Sequence, residues 1–214
     1  MGKKALLTVL FLPLCMLLQG AGTSPDDGFW TIRIGTGLSF SQNQTWTDQE
    51  GHPKAVPVYG EGYHSQGERP ASLWGLLALG YRMAPTLEVS LEVISQARAT
   101  FEGQVNYPDA GDKQPVSAPI RTTVVMTSWY WRPLEQGWLT PFVSAGLGLS
   151  RNHCSGLEMS FPQLERPHTF EIPRGTQTAL AWKVEGGCSF HLGPGLRLES
   201  GLMLLSAGRY MTEA

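Results

Sequence analysis

The stretch FWTIRIGTGLSF, residues 29–40, decides the fold. Apolar side chains stand at positions 30, 32, 34, 38 and 40, whereas Thr31, Arg33, Gly35 and Ser39 stand between them. Successive side chains of a β-strand point to opposite faces, so a pattern of period two predicts a strand with one apolar and one polar face. Residues 29–40 are therefore predicted to form an amphipathic strand.

The same alternation recurs along the chain. It is clear in LEVSLEVISQA (87–97), TALAWKVEGGCSFH (178–191) and LRLESGLML (196–204), and weaker over 71–83, 119–131 and 140–152. Because 71–83 is almost continuously apolar, the sequence does not determine which of its residues point inward. Seven strands are visible, but single-chain bacterial barrels contain an even number. We expect about eight, with the eighth near 54–60, beyond a truncated end, or supplied by a partner.

The connections alternate in length. Those at 84–86, 132–138 and 191–195 are short and contain Pro or Gly, whereas those at 42–70, 99–118 and 153–175 are long and polar. Short turns at one end and long loops at the other are typical of transmembrane barrels. The pattern predicts an all-β, small antiparallel up-and-down transmembrane β-barrel, since a soluble sandwich does not require such alternation.

The first segment predicts export. Residues 1–22 have basic Lys3 and Lys4, an apolar run from Ala5 to Leu18, and small residues before the expected cleavage site, which is typical of a secretory signal peptide. The barrel domain would then be 23–214, in the bacterial outer membrane. Without Lys3 and Lys4, 14 basic residues face 18 acidic ones, which argues against nucleic-acid binding. No later stretch has the roughly 18 apolar residues of a spanning helix.

The polar faces of the strands predict a charged lumen. If the apolar faces contact lipid, charges of both signs point inward, where a small barrel has room only for side chains. We expect them to pair and plug the lumen, although a narrow porin-like channel is an alternative. The predicted lumen charges are Arg33, Glu88, Glu92, Arg98, Arg121, Lys183, Glu185, Arg197 and Glu199.

Two stretches carry a family resemblance. TPFVSAGLGLSRN (140–152) and AWKVEGGCSFHLGPGLRLESGLMLLSAGR (181–209) resemble the OmpA/opacity-protein-like outer-membrane β-barrel domains of Gram-negative bacteria. In that family a Pro-aromatic-Val-Gly-Ala-Gly strand precedes an Ala-Trp strand and then a Leu-x-Leu-x-x-Gly strand. Residues 202–204 are Leu, Met and Leu where the family usually has Tyr-Arg-Tyr, and the usual closing strand is absent. The resemblance implies a fold and a location rather than a reaction.

One short motif suggests an enzymatic alternative. His153-Cys154-Ser155 resembles the His-x-Ser arrangement of outer-membrane lipid A deacylases. The resemblance implies Ser155 as nucleophile and His153 as base, with Glu158 or Glu165 as the orienting acid. The five histidines lack metal-ligand spacing, so we expect no metal site. The glycine clusters are not dinucleotide fingerprints, and no cofactor is expected.

The remaining expectations concern the cysteines and the loops. Cys154 would lie at the outer rim and Cys188 near the opposite end, which is too far apart for a disulfide. Rigid scaffolds often carry recognition on loops. We therefore expect a non-enzymatic structural or surface-interaction role, adhesin-like, at the cell surface. The expected partners are outer-membrane lipid and lipopolysaccharide, and a host or surface ligand for loops 42–70, 99–118 and 153–175.

Overall fold

The structure is a computed structural model and describes residues 8–9, 15–19, 29–40, 44–47, 64–68, 71–105, 114–134, 138–161 and 168–210. These residues form fourteen antiparallel strands in one curled sheet. The described part of the chain contains no helix that is long and apolar enough to cross a membrane. The prediction of an all-β antiparallel fold is confirmed.

Eight strands form the body of the sheet, and each lies beside its neighbours in chain order. They are β2 (Cys15–Gln19), β3 (Phe29–Ser39), β6 (Ser72–Ala84), β7 (Leu87–Gln96), β9 (Gln114–Trp131), β10 (Leu139–Cys154), β13 (Gly175–Gly193) and β14 (Leu196–Ser206). β9 pairs with both β7 and β10, and β14 pairs with β2, so the pairings return to the strand from which they start. This meander corresponds to the seven predicted strands and one more.

The additional strand comes from an unexpected part of the chain. β2 lies between β14 and β3, with Leu17 opposite both Arg197 and Arg33. A two-residue strand, β1 (Thr8–Val9), also pairs with β14. Both belong to the segment that the sequence predicts as a signal peptide. The other position considered for the eighth strand, 54–60, lies outside the described residues.

The three predicted long loops contain further strands. They are β4 (Gln44–Thr47), β5 (His64–Glu68), β8 (Ala99–Val105), β11 (Leu157–Phe161) and β12 (His168–Ile172). With the first residues of β9 they pair in the order β12-β11-β9-β8-β5-β4, which we call the loop sheet. The segments 42–70, 99–118 and 153–175, which are predicted as long polar loops, therefore contain paired strands. β-pairing satisfies backbone groups that a polar composition alone does not assign to any partner.

The short connections lie at the opposite end. β6 and β7 are joined by a turn at 85–86, and β13 and β14 by a turn at 194–195. Gly195 has a φ of 71°, in the left-handed region that favours glycine. The predicted short turns at 84–86 and 191–195 are confirmed, although β13 extends further than expected.

The two faces of the sheet have inverted polarity relative to a soluble protein. On β6, Leu73, Leu77, Leu79, Tyr81 and Met83 point outward and are 38–56% exposed. The intervening residues of that strand point inward and are buried, which settles the face that the sequence left open. The outward apolar positions predicted on β3 are also exposed; they are Trp30, Ile32, Ile34 and Leu38.

The interior is layered along its axis. Charged side chains fill the end near the short turns. Beyond them lies an apolar cluster that includes Trp74, Ile94, Val124 and Met126. Polar residues such as Gln96 and Asn152 follow, and Phe101, Val116, Ala118 and Leu157 are buried behind the loop sheet. The charges therefore occupy one defined layer of the interior.

Candidate functional site

The charged layer contains seven of the nine predicted lumen residues. All seven are at most 8% exposed. They are Arg33, Glu88, Glu92, Lys183, Glu185, Arg197 and Glu199. Each of them occupies an inward position in the alternation of its strand, so all seven side chains point into the interior.

The other two predicted lumen residues lie elsewhere. Arg98 and Arg121 are exposed. On β9 the inward positions are the even-numbered ones, including Thr122 and Val124, so Arg121 points outward. Arg98 lies between β7 and β8, beyond the end of the alternation. The assignment of both to the lumen is wrong, because polarity alone does not fix the inward face.

Glu88 and Glu199 bind two arginines from opposite sides. Arg33 donates from Nη2 to Glu88 Oε1 at 2.7 Å, and its Nε lies 2.9 Å from Glu199 Oε2. Arg132 donates from Nη1 to Glu88 Oε2 at 3.0 Å and from Nη2 to Glu199 Oε1 at 2.8 Å. Each carboxylate thus bridges two guanidinium groups. Such shared, hydrogen-bonded geometry offsets the cost of burying the charges.

A second cluster surrounds Lys183. Its Nζ lies 2.7 Å from Glu92 Oε2 and 3.0 Å from Glu185 Oε2, and it donates to the Tyr130 hydroxyl at 2.8 Å. That hydroxyl donates to Glu92 Oε1 at 2.6 Å, and Ser144 donates to Glu185 Oε2 at 3.1 Å. The ammonium group is therefore held between two carboxylates and a hydroxyl inside the interior.

Sequence analysis missed Arg132 and Tyr130. Arg132 follows β9 directly and is fully buried, but it falls within the predicted turn 132–138. Tyr130 lies between Trp129 and Trp131, and its aromatic character alone does not show that it points inward while they point outward. The available signal was parity, since Ser128, Tyr130 and position 132 share the face of the buried Met126.

The end of the described chain folds across the opposite end of the interior. Asn152 donates from Nδ2 to the Ala207 carbonyl at 2.6 Å and to the Arg209 carbonyl at 2.9 Å. Tyr210 forms a hydroxyl–hydroxyl hydrogen bond with Thr122. Gly208 between them has a φ of 75°, which favours glycine at this bend. Residues 207–210 thus cover the interior on the loop-sheet side.

A cleft lies on the outside of the sheet at the same level. Its volume is ≈ 550 Å³, and its lining includes Leu73, Ser95, Arg98, Arg121, His153 and Ser155. His153 lies directly opposite Arg121 across the β9–β10 pair. We call this feature the rim cleft.

The predicted hydrolase residues share the rim cleft. The His153 Nδ1 atom forms a hydrogen bond with Thr176 Oγ1 at 3.0 Å. The orienting acid of a triad would occupy that position. Glu158 lies on β11 opposite Ser117 and Glu171, and Glu165 lies outside the described residues. In the described part of the chain, His153 and Ser155 therefore line one cleft. The hydrogen-bond partner of His153 Nδ1 is the Thr176 hydroxyl and not a carboxylate.

Cys154 and Cys188 lie far apart in the sheet. Cys154 pairs with Gly175 and Cys188 pairs with Pro141, so the two thiols stand at opposite ends of the β10–β13 pair. Both cysteines are free. Among the described residues, no group of three or more His, Cys, Asp and Glu side chains could hold a metal ion.

We infer the function from the charge network and the rim cleft. No protein-family model, curated protein or solved structure matches the chain.

Proposed function

We propose that the chain is a non-enzymatic outer-membrane β-barrel of the OmpA/opacity-protein-like type, with a plugged lumen and a structural or surface-interaction role. In this proposal the eight-stranded body spans the outer membrane, and the loop sheet faces the cell exterior. The single observation that carries it is the inverted polarity of the sheet, with apolar residues outside and paired charges inside.

The outward surface supports a lipid environment. Monomeric soluble proteins rarely expose contiguous apolar patches larger than a few hundred Å². Here Leu77, Val93, Val125 and Leu149 form one outward row across four neighbouring strands, and each is 39–56% exposed. A soluble sheet would place such a row in a core, so this surface argues against the soluble sandwich.

The height of the apolar surface suits a bilayer. On β6 it extends from Leu73 to Met83, about 33 Å at a rise of about 3.3 Å per residue. With a strand tilt of about 40°, its vertical height is about 25 Å, which is that of the apolar band of known outer-membrane barrels.

Aromatic residues mark the edge near the short turns. Trp30 and Tyr81 have ring centroids 5.1 Å apart, and Trp138 and Phe190 have centroids 5.9 Å apart. Trp129 and Trp131 are also exposed on this side. Membrane barrels carry such aromatic girdles at the lipid–water interfaces. This edge would therefore lie at one lipid–water interface, and the short turns beyond it would face the periplasm because known outer-membrane barrels have their short turns on that side.

The ion network favours a plug over a pore. Arg33, Arg132 and Lys183 are each held by at least two carboxylates within the charged layer. An open channel would require water in that layer. Removing one partner from a buried pair is costly, so the network resists opening.

Heat-modifiability tests the proposal. Outer membranes from cells expressing the full chain are analysed on a denaturing gel with and without boiling, beside the osmotic-shock fraction. We expect membrane-bound protein whose unboiled band migrates differently, and no single-channel conductance in planar bilayers. Protein in the osmotic-shock fraction would contradict the membrane location, and defined conductance steps would replace the plug with a channel.

A lipid hydrolase is the second candidate, because His153 and Ser155 line the same cleft at the rim of the apolar surface. The test compares lipid A acylation by mass spectrometry in cells expressing the wild type or Ser155→Ala. Our proposal predicts identical acylation in both. A deacylated product that appears with the wild type alone would establish the hydrolase instead.

A further inference from the structure

We propose that the rim cleft binds the phosphate-bearing headgroup of a membrane lipid. This inference rests on the proposed membrane location and goes beyond it by assigning a ligand to a defined site. The observations that carry it are the charge, the level and the neighbours of the cleft.

The charge of the cleft is one-sided. Arg98, Arg121 and His153 all line it, and among the described residues its lining contains no Asp or Glu. The carboxylates that pair with Arg33 and Arg132 lie inside the sheet. Two guanidinium groups in a shallow, partly open site favour a phosphate, to which arginine can donate two parallel hydrogen bonds.

The level of the cleft matches the headgroup region. On β7, β9 and β10, the last outward apolar residues toward the loop sheet are Val93, Val125 and Leu149. One row further toward the loop sheet, Ser95, Thr123 and Arg151 stand at the outward positions.

The next row contains Arg121 and His153. Two rows of a strand span about 13 Å or less. The guanidinium groups therefore lie just above the end of the hydrocarbon contact, where lipid phosphates reside.

The neighbours of the cleft suit an amphiphile. Leu73 lines it in the same row as Arg121, and the Ser95 and Thr123 hydroxyls lie 3.5 Å apart beside it. An acyl chain would continue down the outward apolar row, whereas hydroxyl groups would bind the polar part of the headgroup. Inorganic phosphate would use only the upper half of this arrangement.

Acidic residues limit the site from above. Glu102 and Glu158 both stand opposite Ser117 on the loop sheet. Ser117 is four positions beyond Arg121 on β9, about 13 Å along the strand. The positive region is thus a band bounded by apolar residues on one side and by carboxylates on the other.

The test uses the folded full chain in neutral detergent, after its heat-dependent gel shift has been verified. Titration calorimetry compares dihexanoyl phosphatidic acid with dihexanoyl phosphatidylcholine and inorganic phosphate. The variant Arg98→Gln/Arg121→Gln removes the two cationic groups, and Arg209→Gln, an exposed arginine outside the cleft, is the matched control. Ser155→Glu adds a negative charge at the cleft by an independent route.

We expect phosphatidic acid to bind in preference to both other probes. The double variant should bind it about 10- to 30-fold more weakly, Ser155→Glu should also bind more weakly, and Arg209→Gln should behave as the wild type. Equal affinities of wild type and double variant would overturn the inference, as would equal binding of inorganic phosphate. A chain that gives no gel shift and no membrane association would instead contradict the proposed function.

Discussion

The guanidinium carbon of Arg33 lies 3.9 Å from the centroid of the Tyr130 ring. The ring face thus contacts one cation, while the hydroxyl at its far end binds Lys183 and Glu92. Aromatic faces attract cations electrostatically, and the attraction is larger when the pair is shielded from water. Tyr130 therefore joins the arginine cluster to the lysine cluster.

The Tyr130 hydroxyl can be tested by a single-atom deletion. Tyr130→Phe keeps the ring over Arg33 but removes the group between Lys183 and Glu92, so we expect a loss of about 1–3 kcal/mol in the free energy of unfolding. Urea unfolding in detergent micelles measures it. Tyr81→Phe, on the outward face, is the matched control and should change stability little. Equal effects of the two changes would contradict the role of the hydroxyl.

The pair of Arg132 and Glu199 predicts strong coupling. Arg132→Met alone leaves Glu88 and Glu199 each short of one partner, and we expect a loss of about 3–5 kcal/mol. Adding Glu199→Gln removes one of the orphaned charges. The double variant should therefore be less destabilised than the sum of the single variants, by about 0.5–3 kcal/mol in a double-mutant cycle. Simple additivity would show that the contact contributes nothing.

Two glycines on β6 provide a matched comparison. A Cβ atom at Gly80 would collide with the side chains of Thr31 and Glu88, whereas at Gly75 no atom of the described residues lies within 4 Å. We expect Gly80→Val to destabilise the protein by about 1–3 kcal/mol through overpacking, and Gly75→Val to be tolerated. Unfolding midpoints of the two variants measure the contrast, and similar midpoints would argue against close packing at Gly80.

The position of β2 predicts a dependence on the first residues. Between β14 and β3 it satisfies backbone groups that in lipid would cost several kcal/mol each. For protein refolded into detergent, we expect a chain of residues 13–214, which retains β2, to give a more complete heat-dependent gel shift than a chain of residues 23–214, in which β3 and β14 have to close on each other. A full gel shift in the shorter chain would indicate that β3 and β14 close on each other after signal cleavage.

The reactivity of Cys154 and Cys188 tests their burial without any substitution in the protein. Cys154 is fully buried, and burial in apolar surroundings lowers the reactivity of a thiol. Cys188 is partly exposed on the outward face. We expect a lipid-soluble maleimide to label Cys188 but not Cys154 in the folded protein, and to label both of these cysteines after unfolding. Peptide mapping that linked the two cysteines would contradict the register, which separates them by about 43 Å along the strands.

Much of the strand body was predictable because alternation is a local property. The pattern around Trp30, Ile32 and Ile34 specifies both a strand and its outward face without knowledge of any partner. Glu88, Glu92 and Lys183 could be placed inward for the same reason.

The rest depends on contacts between distant segments. Arg121 was misplaced because polar and apolar residues occupy both faces of β9 near its loop end, and its direction follows only from the folded strand, in which Thr122 is buried and Arg121 is exposed. The loop sheet joins three chain segments, none of which has a strong alternation of its own. The placement of Leu17 between Arg197 and Arg33 is equally non-local.

The loop sheet also affects how the exposed end of the protein can vary. Because β5, β8, β9 and β11 are hydrogen-bonded side by side, an insertion in one segment shifts its register against two others. Sequence drift is then expected to be concerted rather than independent among the three segments. An antibody against this end would bind a discontinuous epitope, one that boiling in detergent destroys.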